Sequence, residues 1–204
     1  MATLLHIAVS PREEASHSRK IGCELVERFR AVEPALRVVV RDLAGTPLPH
    51  LDRNFVEASL MAEANRGRTQ IDALALSDIL IGELEAADIV VIDTPIHNFT
   101  VPSVLKSWID HVVRPHRTFR SGPGGKIGLL KNRPVYVIVA CGGPFSGGPA
   151  IQSDFMTPYL KYVFGTVGIF NVDVLRLENL NRGNAQIEQA FMAARNWIDM
   201  VIPG

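Results

Sequence analysis

The sequence predicts a doubly wound α/β sandwich: a five-stranded parallel sheet with helices on both faces, right-handed crossovers and strand order 2-1-3-4-5. Three observations carry this. Short, nearly continuous apolar runs such as Leu4 to Val9 and Ile89 to Ile92 have the pattern of strands covered on both faces. Segments with apolar residues at helical spacing alternate with these runs. Polar or glycine-rich loops follow several strands at their carboxyl ends, where open parallel sheets form their ligand crevice.

In order, Leu4 to Val9 is the first strand, ended by Ser10-Pro11-Arg12. Ile21, Leu25, Val26 and Phe29 share one face of a helix that begins near Ser18, with Ser16 or Ser18 as its N-cap. Leu36 to Val40 is β-branched and bounded by Pro34 and Asp42, hence the second strand. Leu43 to Asn54 contains Pro47 and Pro49 and cannot be regular. It leads into two helical stretches, Phe55 to Ala64 and Gln70 to Ala87. A parallel crossover needs only one helix, so the extra one either covers the site or meets another subunit. Asp88 to Asp93 is the third strand, followed by the loop Thr94 to Val101 and a helix from Pro102 to Val113, where proline suits the first turn. Arg114 to Arg133 reads as loop. Pro134 to Ala140 is the fourth strand, Cys141 to Gly148 a glycine-rich loop, Ser153 to Val167 a helix, Val172 to Leu177 the fifth strand and Asn184 to Val201 the last helix.

Composition bounds the function. A chain of 204 residues with 47% hydrophobic content can bury a core without disulfides or metal, and residues 1–204 are expected to form one domain. Lys+Arg and Asp+Glu both number 21, so no net field invites nucleic acid or an acidic membrane, and a small-molecule partner is expected. No apolar run approaches the roughly 20 residues that span a bilayer, and Met1 to Val9 shows no basic lead or cleavage site. Cys23 and Cys141 lie far apart without a CxxC pairing, which fits a reducing compartment. A cytoplasmic protein is expected. His6, His17, His50, His97, His111 and His116 show no metal-ligand spacing, so no metal site is expected.

Four loops could carry chemistry. Ser10, Ser16, His17 and Ser18 lie between the first strand and first helix, where free N–H groups and the positive dipole end can hold a phosphate; ordinary capping is the alternative. Pro95, Ile96, His97, Asn98 and Phe99 occupy the loop after the third strand, and His97 is its one side chain able to change charge near neutral pH. Gly142, Gly143 and Ser146 follow the fourth strand, where glycines let backbone N–H groups approach a flat ligand and Phe145 could cover a face of it; a mobile surface turn is the alternative. Gly122-Pro123-Gly124-Gly125-Lys126-Ile127 has a Gly-Lys pair without a following Ser or Thr and precedes a strand, so it is a flap or a turn and not a nucleotide loop. The first loop lacks GxGxxG, and the surroundings of Ser146 are not GxSxG, which argues against the usual dinucleotide fingerprint and a nucleophile elbow.

Taken together, Ser10-Pro11-Arg12 with Ser16-His17-Ser18, Pro95-Ile96-His97-Asn98-Phe99 followed by Pro102 and Leu105-Lys106 through Asp110, Thr118-Phe119-Arg120, and Pro158-Tyr159-Leu160 resemble the FMN-dependent NADH azoreductases. These are flavodoxin-like NAD(P)H:quinone oxidoreductases, and the similarity runs in order over nearly the whole chain. The resemblance implies a flavodoxin-like fold, one non-covalent FMN near a homodimer interface, and ping-pong hydride transfer from NADH or NADPH to quinones or azo compounds. It assigns Ser10, Ser16, His17 and Ser18 to the phosphate, Pro95 to Phe99 to the isoalloxazine, and Gly142, Gly143 and Ser146 to a second flavin loop. No catalytic side chain is implied, since the flavin carries the hydride. Ile96 and His97 replace the family's usual methionine and aromatic choices, and Thr166 stands where phenylalanine often occurs; both bear on substrate preference. Two rivals remain. A flavodoxin-type electron carrier would have no substrate site of its own, but such carriers resemble one another in strong acidity and this chain is neutral. A regulatory α/β domain would bind no flavin. A homodimer is further suggested by the inserted helical segment and by Trp108, Phe119 and Tyr159, apolar material that a monomer would leave partly exposed.

Overall fold

In the computed structural model, which describes residues 1–146 and 152–203, five parallel strands lie in the order β2-β1-β3-β6-β7. They are β1 (Thr3–Ala8), β2 (Arg37–Asp42), β3 (Ile89–Pro95), β6 (Val135–Ala140) and β7 (Val172–Leu177). Counting only these strands, this is the predicted 2-1-3-4-5 order. The register is continuous: His6 faces Val40 on one side and Val91 on the other, and Val91 in turn faces Tyr136. Gly147 and Gly148 of the expected glycine-rich loop lie outside the described residues.

Alternation along the strands sorts the core into two layers, because successive side chains in a strand point to opposite faces. Leu5 and Ile7 of β1, Val90 and Ile92 of β3, and Val135, Val137 and Val139 of β6 pack on α3 (Arg68–Ala86), α4 (Ser103–Val112) and α5 (Met156–Val167). Leu4, Val91 and Ile138 face the opposite way, against α1 (His17–Val32) and α6 (Asn184–Val201). Near-continuous apolar runs were therefore the right signature for β1, β3 and β6. β2 is one of the two edge strands and only half-buried.

One polar pair interrupts the second layer. His6 Nε2 and Asp93 Oδ2 are 2.5 Å apart, with the Asp93 side chain wholly buried. Gly22 of α1 passes directly over them, where a Cβ would come within 2.9 Å of Asp93. The helix reaches the sheet here because the residue is glycine.

The inserted segment forms α2 (Arg53–Leu60), capped by Asp52, whose carboxylate accepts from the Phe55 N–H at 2.8 Å. A turn of 3₁₀ helix at Glu63–Asn65 separates it from α3. The expected loop before it is pinned to α4: Ser107 Oγ donates to Pro49 O at 2.9 Å, and the His111 imidazole bonds the same carbonyl.

Residues 114–133 differ from expectation. In place of loop throughout, an antiparallel hairpin joins β4 (Phe119–Gly122) to β5 (Gly125–Gly128), and the Pro123-Gly124 segment is its turn. Both strands are short and glycine-rich, so neither propensity nor alternation announces them. They are set by docking: Phe119 is buried, and Gly128 crosses the C-terminal end of α5 at Gly168.

Candidate flavin site

The loops after β1, β3, β6 and β7 leave the sheet at one edge and enclose a cleft of about 460 Å³. Ser10, Arg12, Ser16, His17, Pro95, Ile96, His97 and Gly142 line it. Residues from the ends of three separate strands thus converge at one crevice, as parallel-sheet topology requires.

The first wall is the start of α1. Ser16 is its N-cap, extended in backbone and accepting from Arg19 N at 3.3 Å, and its hydroxyl lies 3.2 Å from that of Ser18. The N–H groups of His17 and Ser18 have no acceptor among the described residues, as expected for the first helical turn. Ser18 is fully buried beneath Ser16 and does not itself line the cleft. Arg19 braces the turn from behind, donating to Ser10 O at 3.2 Å and to Asp42 at 2.9 Å. Burial, then Arg12 and Lys20, hold the His17 imidazole below its ordinary value of 6.5. Two neighbouring cations, free N–H groups and a helix dipole make this corner suited to an anion.

That electrostatic setting gives a direct expectation. The His17 imidazole should titrate below 6.5 in the ligand-free protein and rise when FMN or inorganic phosphate is added, followed by its ring-proton NMR signals. In stability terms, the unfolded chain takes up this proton first on acidification. The contribution is complete above 6.5 and is lost as pH falls below it. A His17 pKa unmoved by either ligand would place the anion elsewhere.

The second wall, after β3, is a tight two-residue turn. His97 N donates to Thr100 O and Thr100 N to His97 O, both at 3.0 Å, while Asn98 and Phe99 have φ of 47° and 71°. Asn tolerates this left-handed backbone, but an aromatic residue there is strained by about 1–3 kcal/mol. The turn presents Pro95, Ile96 and His97 to the cleft and projects Asn98 and Phe99 outward, with Phe99 half-exposed.

The third wall is the loop after β6. Gly142 lines the cleft, and a Cβ on it would lie 2.4 Å from Asn181 Nδ2. Cys141 O and Gly142 O accept from Leu180 N and Asn181 N. Because these peptides are trans, the N–H groups of Gly142 and Gly143 point away from that segment, and neither has an acceptor among the described residues. Phe145 departs from expectation: it is buried in the α3/α4/α5 core layer and offers no face to the cleft. Ser146 is also drawn aside, its hydroxyl bonding both oxygens of Glu178 at 3.0 and 3.1 Å. Burial, reinforced by Glu178, pushes the Cys141 thiol up to about 12, so it stays protonated and is no nucleophile.

Leu180, Asn181 and Ile187, which close the cleft from beyond β7, were not singled out from the sequence. The available signal was topological: the loop after the fifth strand opens at the same edge as the others.

These features fit a flavin mononucleotide. Unpaired N–H groups at a helix start suit a phosphate, a side-chain-free glycine surface suits a flat ring, and the volume is that of a cofactor pocket. The comparisons agree. A family model described as "Flavodoxin-like fold" matches residues 2–201. An FMN-dependent NADH:quinone oxidoreductase 2 of Cupriavidus pinatubonensis is 55% identical over 197 residues, 97% of this chain and 96% of that one. An FMN-dependent NADH:quinone oxidoreductase 4 of Pseudomonas fluorescens is 44% identical over 202 residues, 98% of this chain and 95% of that one. Among solved structures, an azoreductase from Bacillus anthracis superposes with a TM-score of 0.88 at 25% identity, covering 99% of both chains.

Proposed function

The chain belongs to the flavodoxin-like family, with FMN-dependent NADH:quinone oxidoreductases among its relatives, and on that premise we propose that it passes hydride from NADH or NADPH through FMN to quinones and azo compounds in a ping-pong cycle. The observation that carries this reading is the single cleft in which the start of α1, the turn after β3 and Gly142 meet. Bound FMN supplies the hydride chemistry, alternately accepting from nicotinamide and giving to the acceptor.

The chain's own residues bind and tune. Ser10, Ser16 and the N–H groups of His17 and Ser18 hold the phosphate. Pro95, Ile96 and His97 border the ring, with Asn98 and Phe99 shaping the turn that presents them. Gly142 and Gly143 offer N–H donors to the negative charge that a reduced ring carries, in the manner of an oxyanion hole. Neutral overall charge counts against a carrier that docks on redox partners.

We also read the active form as a homodimer. Of the three residues expected to be partly exposed in a monomer, Trp108 and Phe119 are buried in the chain's own core and Tyr159 is half-buried. Other aromatics supply the apolar surface: Phe155 (60% exposed) at the N-cap of α5, Tyr162 (75%) within it, and Phe170 (74%) beyond its end. Sedimentation should give a dimer at micromolar concentration; a fully active monomer would contradict it. No helix among the described residues is long and apolar enough to cross a membrane, and both cysteines are free. A cytoplasmic setting suits these features.

The test of function is FMN content together with NADH oxidation, measured on one preparation with a quinone and an azo dye. Parallel double-reciprocal lines are expected for a ping-pong cycle. Flavin without turnover would favour the carrier.

His97 adds a second expectation. His97 lines the cleft beside the place proposed for the ring, so exchanging its polar imidazole for a phenyl ring in His97→Phe should lower the flavin midpoint potential measured at one fixed pH. An unchanged potential would make His97 a substitution of shape alone.

A further inference from the structure

We propose that Glu178, with Arg176 and Asp154, is a positioning clamp that sets the Gly142–Gly143 donors toward the flavin, an inference that rests on the flavin reading above. Glu178 sits at the end of β7, and its carboxylate is largely buried. One oxygen accepts from Phe145 N at 2.9 Å and Ser146 N at 3.1 Å, and the Ser146 hydroxyl closes the same grip. Two consecutive backbone N–H groups and a hydroxyl on one carboxylate fix both the position and the twist of the chain just after the glycines.

The residues next to Glu178 act on the glycines themselves. Asn179 N donates to Gly143 O, Leu180 N to Cys141 O and Asn181 N to Gly142 O. The side chain of Glu178 and the backbone that follows it therefore hold residues 141–146 at six points. With the carbonyls turned one way, the Gly142 and Gly143 N–H groups are left on the other side of their trans peptides.

Arg176 joins this grip to the far side of residues 147–151. Its Nε donates to Glu178 at 3.3 Å, and its Nη1 donates to Asp154 at 2.6 Å and to the Thr157 hydroxyl at 3.2 Å. Asp154 in turn accepts from Met156 N and Thr157 N at the start of α5. Burial raises the Asp154 carboxyl, but bonds from Thr157 and the Arg176 charge outweigh it, so the group stays anionic well below neutral pH. One arginine thus couples the loop after β6 to the helix that follows it. None of the three charged side chains lines the flavin cleft, so their influence runs through the backbone they hold.

The experiment compares the native protein with Glu178→Ala, Glu178→Gln and Ser146→Ala. Amide hydrogen exchange is read without ligand, affinities are measured for FMN and riboflavin, and the midpoint potential is read on loaded protein. Glu178→Ala should speed exchange at Phe145 and Ser146, weaken FMN and riboflavin alike by about tenfold, and lower the potential. Glu178→Gln, which keeps an acceptor oxygen, should recover part of each change, and Ser146→Ala should fall between Gln and native. Flavin binding by the native protein with affinities and potential unchanged in Glu178→Ala would overturn the clamp alone. So would a loss confined to FMN, which belongs to the phosphate end. No flavin binding by the native protein would overturn the functional reading and the clamp with it.

Discussion

Ser16→Ala is expected to weaken FMN binding by about 10- to 100-fold, the 1–3 kcal/mol of a hydrogen bond to a charged phosphate, while riboflavin loses far less. The control matters because Ser16 has two tasks. Its Oγ caps α1 by accepting from Arg19 N, and removing a cap costs about 1 kcal/mol of stability whatever the ligand. A loss through the helix would fall on both flavins, whereas a loss at the phosphate falls on FMN only. Ser18→Ala separates the two further, since Ser18 is not the cap. Its hydroxyl lies 3.2 Å from that of Ser16, so it should act by orienting that hydroxyl and give a smaller change of the same kind. Calorimetric titrations with both ligands measure this. Equal losses for FMN and riboflavin would make these serines structural.

Gly128→Ala should be among the most damaging single substitutions for stability. A Cβ at that position would stand 2.1 Å from Gly168 N and 2.4 Å from both Gly168 Cα and the Val167 carbonyl carbon. All three are backbone atoms, so no side chain can swing aside. Gly168 has little freedom of its own: it closes α5 with φ of +103°, and a Cβ on it would meet Leu130 O at 2.6 Å. Leu130 N also donates to Val167 O at 3.0 Å, tying the same two segments. The β4–β5 hairpin and α5 would have to separate, at a cost of about 3 kcal/mol or more. Urea unfolding should show a lower midpoint with little change in FMN affinity, because neither glycine lines the cleft. A change below about 0.5 kcal/mol, the range of ordinary surface substitutions, would mean that the hairpin is not held by this crossing.

The strands and helices with a strong period were legible from residues alone. Val172–Leu177 and Asn184–Val201 have the expected limits, and β1, β3 and β6 are the buried runs that they read as. The cleft was legible because topology brings loops at strand ends together: Ser10, Ser16, His17, Pro95, Ile96, His97 and Gly142 meet there. What was not legible depends on distant partners. The β4–β5 hairpin has no pattern of its own and exists through Gly128 on Gly168. Ser146 turns from the cleft toward Glu178, 32 residues on, and Phe145 turns into the core. Trp108 and Phe119 are large and apolar, but only the packing of α4 and the hairpin shows that this chain covers them itself. The side on which a residue finds its partner is a tertiary fact, and local periodicity carries none of it.

On the function proposed, one cleft holds FMN and lets it take hydride from NADH and give it to a quinone. Anaerobic addition of NADH to the FMN-loaded protein, with no acceptor present, tests this most directly. The flavin absorbance should bleach with about one equivalent of NADH, as a two-electron transfer requires, and return when a quinone is added afterwards. A flavin that NADH leaves oxidised, or a reduced flavin that quinone does not reoxidise, would contradict the account.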